Sequence, residues 1–464
     1  MVLRSSADDL GLLDDSRGPA RSGGRAINPW RAIVGAFGVG LAVGTVLLLL
    51  PVSRSGPGGA SLVEALFTAT SALCVTGLAV VDTATYWSPF GQAVVLLLIQ
   101  AGGFGIMTLA SMLGLLVSRR LDLRSRLLAT AETKSLGMGD VRTVLLGVAR
   151  ISLVVEAVVA LVLTVRFATT YGEPLGRAVW LGVFHAVSAF NNAGFALFSD
   201  SLVGFATDPW ISVTVAVAVI LGSLGFPVII ELLRQHRRPR RWSIHTRLTL
   251  VMTGVLLVGG SVFVTVSEWR NPLTLGALDP AGRVLAGFFQ GVMPRTAGFN
   301  SVDTGAMNDG TLLATDVLMF IGGGSAGTAG GIKVGTFAVL FLAILSELRG
   351  DPDVNLFDRR LAPEAIRQAL SVALLSVAVV IGATLVITTT SAWDLDEVLF
   401  EVVSAFATVG LSTGITADLA VGHQLLLVVL MFAGRLGPVT FVSALVLRQH
   451  GRLFHLPEGR PLIG

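Results

Sequence analysis

Ser71-Ala72-Leu73-Cys74-Val75-Thr76-Gly77-Leu78, Ser188-Ala189-Phe190-Asn191-Asn192-Ala193-Gly194-Phe195, Met293-Pro294-Arg295-Thr296-Ala297-Gly298-Phe299 and Ser404-Ala405-Phe406-Ala407-Thr408-Val409-Gly410-Leu411 resemble one another. Their glycines, Gly77, Gly194, Gly298 and Gly410, recur at intervals of 117, 104 and 112 residues. Each stretch ends an apolar run and carries a small or polar residue just before its glycine. Such repetition in an apolar chain predicts four similar walls around one axis. An axis lined by glycine-hinged backbone supplies what a cation needs in place of its water.

Around these stretches the chain is apolar. Of 464 residues, 53% are hydrophobic and 14% charged, with a mean hydropathy of +0.78. Soluble domains carry about 25% charged residues, so a polytopic membrane protein is expected. The apolar runs are long and do not alternate, which favours helices over a barrel. The single cysteine, Cys74, excludes a disulfide framework and a cysteine metal cluster. Residues 1–30 are polar and Gly-rich and read as a flexible tail. No cleavable signal is read, because the first apolar run starts late and is long enough to span.

Eight long apolar segments read as spans: 32–51, 88–118, 143–165, 209–233, 248–267, 312–347, 368–390 and 424–447. Between the members of each pair lies a shorter apolar piece, at 62–75, 178–192, 282–293 and 397–408. Pieces of about 10 to 14 residues suit re-entrant half-helices better than spans. The expected fold is therefore an all-α polytopic membrane protein with four membrane–pore-helix–membrane repeats, pseudo-fourfold and K⁺-channel-like. It has eight spans plus four re-entrant pore helices. The repeats fall at 31–120, 121–240, 241–350 and 351–464.

Charge supports the turning back. Arginine-rich loops lie at 119–142, which also holds Lys134, at 234–247 and after Glu347, whereas the segments flanking the half-helices hold few basic residues. Cytoplasmic loops are enriched in Lys and Arg. The rich loops share one side only if each half-helix re-enters, which makes both termini cytoplasmic and the location the cytoplasmic membrane.

A second repeat sits in the later span of each unit. It reads Gly102-Gly103-Phe104-Gly105, Gly222-Ser223-Leu224-Gly225 and Gly434-Arg435-Leu436-Gly437. The third unit places Gly322-Gly323-Gly324-Ser325-Ala326-Gly327-Thr328-Ala329-Gly330-Gly331 there, too glycine-rich to stay helical. One of the four inner spans is thus expected to be interrupted.

Backbone carbonyls replace an ion's hydration shell when a loop is extended with its oxygens facing the axis, and glycine permits the angles this requires. The carboxyl end of each half-helix adds a partial negative charge. The candidate filter strips for K⁺ are Val75-Thr76-Gly77, Asn192-Ala193-Gly194, Thr296-Ala297-Gly298 and Thr408-Val409-Gly410. The plainer alternative makes these glycines ordinary helix caps, which leaves the fourfold spacing unexplained.

The chain resembles the superfamily of four-repeat K⁺ transporters, the Trk, Ktr and HKT proteins. The resemblance is carried by Gln100-Ala101-Gly102-Gly103-Phe104-Gly105-Ile106-Met107, Gly225-Phe226-Pro227, Gly330-Gly331-Ile332-Lys333 and Gly434-Arg435-Leu436-Gly437-Pro438. Eight spans and the ending Leu456-Pro457-Glu458-Gly459-Arg460-Pro461-Leu462-Ile463-Gly464 are similar to the KtrB-type membrane subunit. The resemblance implies a homodimer with one pore per subunit, docked on a cytosolic ring of KtrA-type nucleotide-binding regulatory subunits. Membrane lipid surrounds it, and no nucleic acid is a partner. No cofactor is bound by the chain; K⁺ is the transported ion and Na⁺ a candidate activator.

Two departures bear on selectivity. Each strip has one glycine and the four differ, so looser selection is expected than from a repeated channel filter. Arg295 lies beside the third strip, where a charge facing the ion would repel it; it is expected behind the filter or at the outer mouth.

The candidate gate is Gly322, Gly323, Gly324, Ser325, Ala326, Gly327, Thr328, Ala329, Gly330 and Gly331, with Lys333 and Arg435. The glycines leave a flexible segment just cytoplasmic to the strips. A nucleotide-fingerprint reading of Gly322-x-Gly324-x-x-Gly327 fails, because no βαβ unit contains it. Arg435, deep in a span, either faces the pore or clamps carbonyls of the broken helix. Lys333 either anchors the loop or reaches the interface. Glu156 is expected to bond a neighbouring half-helix, His185 to pack behind a strip and Cys74 to be buried. The expected function is K⁺ uptake driven by the membrane potential. Its rivals are a less selective Na⁺/K⁺ or Na⁺-coupled transporter, and an intramembrane enzyme using Glu156 or His185.

Overall fold

The computed structural model describes residues 29–120, 141–357 and 359–437. The tail before residue 29, most of the first basic loop with Lys134, and the ending from Pro438 to Gly464 lie outside the described residues. Among the described residues the regular structure is helical apart from a two-stranded antiparallel ribbon, β1 (Asn355–Leu356) and β2 (Arg359–Arg360).

In chain order the first unit holds α1 (Pro29–Leu49), α2 (Leu62–Leu73) and α3 (Pro89–Arg120). The second holds α4 (Val141–Thr170), α5 (Leu175–Phe190), α6 (Pro209–Leu224) and α7 (Phe226–Gln235). The third holds α8 (Ile244–Glu268), α9 (Pro280–Val292), α10 (Asp309–Phe320) and α11 (Val334–Arg349). The last holds α12 (Pro363–Thr390), α13 (Leu395–Ala407) and α14 (Val421–Leu436).

Local sequence sets where these helices begin. Ser61 and Glu64 form a capping box at the head of α2, and Asp394 and Glu397 form another at α13. Asp208 and Asp279 cap α6 and α9, each ahead of a proline that cannot donate an amide.

Among the described residues, three helical segments, Leu146–Thr170, Ile244–Glu268 and Pro363–Thr390, are each long and apolar enough to cross a membrane alone. A fourth crossing exists if the bent α6–α7 pair counts as one.

The short helices α2, α5, α9 and α13 lie at the centre. Each packs on the long helix preceding it: α1 on α2, α4 on α5, α8 on α9 and α12 on α13. The later helix of each unit also packs on the next unit's short helix. Thus α3 meets α5, α6 meets α9, α10 meets α13 and α14 returns to α2. The short helices are buried through their last turns, where Ser71, Ala72, Ser188, Ala189, Gln290, Val292, Ser404 and Ala405 have almost no exposure.

One expectation is overturned. Segment 209–233 is not one straight helix: α6 and α7 meet at 99° at Gly225, whose φ is +92°. The carbonyl of Ser325 occupies the place of a side chain there. Among the described residues, two of the later helices are therefore broken, not one. The second break is made by the glycine-rich segment of the third unit, which lies against it. The carboxylate of Glu231 on α7 accepts from the Ser243 amide at 2.7 Å and from the hydroxyls of Ser243 at 2.7 Å and Thr246 at 2.5 Å. These bonds tie the turned-out helix to the head of α8.

Candidate functional site

The four half-helices end in the same backbone figure. Val75, Asn192, Thr296 and Thr408 have φ of +56°, +59°, +65° and +51°, and Gly77, Gly194, Gly298 and Gly410 follow two residues later at +97°, +69°, +73° and +94°. An ordinary strand turns successive carbonyls to opposite sides. Alternating positive and negative φ turns them toward one side. The non-glycine residues at positive φ are strained, and the glycines are needed because an L side chain resists the same region.

These strips meet in a closed cycle. A Cβ placed on Gly77 would stand 3.1 Å from the Cα of Gly194, one on Gly194 2.9 Å from Gly298, one on Gly298 3.0 Å from Gly410, and one on Gly410 3.0 Å from Gly77. Each would also run into a carbonyl oxygen of the neighbouring strip, those of Ala193, Ala297, Val409 and Thr76 in turn. All twelve strip residues, Val75, Thr76, Gly77, Asn192, Ala193, Gly194, Thr296, Ala297, Gly298, Thr408, Val409 and Gly410, are therefore brought to one place.

Side chains and amides inside each unit hold the strips. The Ser71 hydroxyl accepts from the Gly77 amide at 3.1 Å, and Ser404 does the same for Gly410 at 3.0 Å. Ser188 instead donates to the Phe195 carbonyl at 2.8 Å. Val292 stands at the matching place of the third unit, so no hydroxyl is present there. These serines open three of the four repeated stretches, which was the signal for a role that sequence reasoning passed over.

The second glycine repeat is a packing device. A Cβ at Gly102, Gly222 or Gly434 would collide with the carbonyl of Leu73, Phe190 or Phe406, in the last turn of the unit's own half-helix. Gly322 departs from this alignment: the loop's own Gly330 carbonyl fills its side-chain space.

Segment 322–331 lies against the break in the second unit. The Gly324 amide donates to Ser223 O at 2.7 Å, the Thr328 amide to Gly222 O at 3.2 Å, and the Phe226 amide to Ala326 O at 3.1 Å. At its base, Gly322 N bonds Ile332 O at 2.9 Å and Val334 N bonds Gly323 O at 3.0 Å. The glycines here serve close approach: a Cβ on Gly327 would stand 3.0 Å from the carbonyls of both Gly222 and Ser223.

Charged side chains grip this segment. Arg435, fully interior, donates to Thr328 O, and to Gly102 O at 3.3 Å. Lys333 folds back to Ala329 O at 2.5 Å. Arg295, buried beside the third strip, donates to Gly322 O at 3.2 Å. Glu156 accepts from Gln100 at 3.1 Å and from Asn191 at 3.2 Å, at the end of α5. His185 bonds Leu181 O at 2.8 Å and stacks on Phe198. Cys74 is buried.

At the rim, Asp208 accepts from Arg166 at 2.8 Å, Tyr171 at 2.9 Å and the Trp210 amide at 2.9 Å. Burial alone would raise its carboxyl, but these donors outweigh it and hold the group below the ordinary range.

Long apolar helices around a cycle of backbone strips define a multi-pass membrane transport protein. Residues 42–455 match TrkH, described as cation transport protein. The chain belongs to this family, one of transporters and not enzymes, and within it groups with the KtrB type. It is 40% identical over 452 residues to Ktr system potassium uptake protein B of Vibrio alginolyticus, covering 97% of each chain. It is 38% identical over 438 residues to the protein of that name from Bacillus subtilis (strain 168), covering 94% of this chain and 97% of that one. The structure of the potassium transporter TrkH from Vibrio parahaemolyticus has the same fold. The TM-score is 0.72 at 18% identity, over 92% of this chain and 86% of the other.

Proposed function

We propose that this chain carries K⁺ into the cell across the cytoplasmic membrane, through a ring of strip carbonyls with pseudo-fourfold symmetry. The single observation that carries this reading is the closed cycle of four positive-φ glycine strips, each pressed on the next. The cyclic packing of half-helices supports the pseudo-fourfold arrangement and the architecture of eight spans with four re-entrant helices. The relatives named potassium uptake protein B support the ion. Carbonyl ends of four half-helices and strip oxygens replace the ion's water. The membrane potential supplies about 2.3 kcal/mol per charge per 100 mV, so the chain needs no hydrolysis of its own.

Segment 322–331 acts as the gate, with Lys333 and Arg435 as its clamps. Both termini face the cytoplasm. The chain works as a homodimer with a cytosolic nucleotide-binding regulatory ring, in keeping with relatives that are one lettered component of a system. Na⁺ serves as an activator. The inequality of the four strips, with only one glycine each, favours a second reading, in which Na⁺ also passes.

The test is complementation of a host that lacks K⁺ uptake. Gly77→Ser, Gly194→Ser, Gly298→Ser and Gly410→Ser should each lower apparent K⁺ affinity; unchanged uptake in all four would overturn the filter. Measuring flux with Na⁺ replaced by an impermeant cation separates the two readings.

A further inference from the structure

Among the described strip residues, Asn192 alone has a side chain hydrogen-bonded both to a neighbouring strip's flank and to the glycine-rich segment. Its amide nitrogen donates to Arg295 O, beside the third strip, at 3.2 Å. Its amide oxygen accepts from the Thr328 hydroxyl at 2.9 Å. The orientation follows from chemistry, since the Arg295 carbonyl cannot donate and so must face the NH₂. Thr328 is itself fixed within the segment: its amide bonds Gly222 O at 3.2 Å and its carbonyl accepts from Arg435. Both Asn192 and Thr328 are fully buried. The counterpart hydroxyls on the other strips, Thr296 and Thr408, have no hydrogen-bond partner.

We infer that Asn192 and Thr328 form a coupling link, through which the position of the intramembrane segment sets the ion affinity of the strips, and ion occupancy in turn sets the segment's position. The inference rests on reading 322–331 as the gate and the strips as the filter. When the segment moves, the buried Asn192 loses its donor, and an unmet buried acceptor is costly. The side chain then re-aims, and its hold on the Arg295 carbonyl slackens. The second and third strips, which meet at Gly194 and Gly298, relax together. Because linkage is reciprocal, a cation that binds the tightened ring holds the segment closed more firmly than one that fits it poorly. Asn192 acts here as a positioning residue: its bonded side-chain atoms are turned to protein and not to the ring.

The experiment is a double-mutant cycle in the full chain, with initial uptake rates normalised to the amount of protein in the membrane. Thr328→Val deletes the hydroxyl at nearly constant volume. Asn192→Gly deletes both bonds and keeps the left-handed backbone. Each single variant should raise the maximal rate, raise KM for K⁺ about three- to tenfold, and lower the K⁺/Na⁺ discrimination ratio. The double variant should do no more than the larger single. Thr328→Ser restores the donor and should return KM toward that of the unaltered chain. The link is overturned if Thr328→Val changes rate while KM and discrimination stay put, if the two KM changes multiply, or if serine behaves as valine does. Deleting 324–329 separates the layers. No rise in flux removes the gate itself, whereas a rise with an unmoved KM in Thr328→Val removes only the link.

Discussion

The first glycine of the second repeat shows how little room a residue can have. Gly102 admits no Cβ because the Leu73 carbonyl fills the space, and Gly434 is equally barred by Phe406. Gly102→Ala forces helix α3 off the half-helix that carries the first strip. Overpacking of this kind costs about 1–3 kcal/mol. It should lower the thermal midpoint of the detergent-solubilised protein, whereas Gly254→Ala, at a site with nothing within 4 Å, should leave it unchanged. Arg435 makes the same point for charge. Its planar fork reaches carbonyls of two units at once, which a lysine point charge cannot reproduce. Arg435→Lys should therefore raise the K⁺ leak in an uptake assay nearly as much as Arg435→Ala; a wild-type leak in the lysine variant would assign Arg435 to packing alone.

At the scale of elements, helix ends carry most of the specification. Asp208 heads α6 and joins it to Arg166 of α4. Its folded-state pKa lies below the unfolded value of about 3.9, so it contributes stability above that value and loses the contribution as pH falls through its folded pKa. Chemical-unfolding midpoints should drop more steeply below about pH 4 in the native chain than in Asp208→Asn; parallel curves would remove the group from the stability balance. At neutral pH, Asp208→Ala loses a helix cap worth about 1 kcal/mol. The segment 322–331 is an element too, though without helical bonds. Its deletion from 324 to 329 should raise ungated K⁺ flux, measured by efflux from loaded cells.

At the scale of the whole molecule, the cycle is only as sound as each quarter. The strips share contacts, so a serine at Gly77 disturbs the neighbour at Gly194 as well as its own strip. Gly77→Ser and Gly298→Ser, on opposite quarters, should weaken K⁺ uptake to a similar degree and broaden selectivity. A large effect from one and none from the other would indicate that the four walls are not equivalent.

The half-helices were legible because length and hydropathy mark them: 62–75, 178–192, 282–293 and 397–408 correspond to α2, α5, α9 and α13. The break at Gly225 was not, because 209–233 is apolar along most of its length and Gly225-Phe226-Pro227 fits a kinked span as well as a right-angled turn. The serines behind Gly77 and Gly410 stood in plain view, but a hydroxyl six residues before a glycine has no local meaning.

Composition and repeat spacing by themselves determined an apolar, helical, multi-pass chain with four related glycine-ended turns, because hydropathy and φ preference are properties of the local chain. Only the tertiary structure decided which carbonyl fills each glycine's missing side chain, which backbone breaks α6, and that Arg295, Lys333 and Arg435 turn to the same segment. Several of those choices are made by contacts between residues more than a hundred positions apart, such as Thr328 with Asn192 and Arg435 with Thr328, and no window of sequence contains both partners.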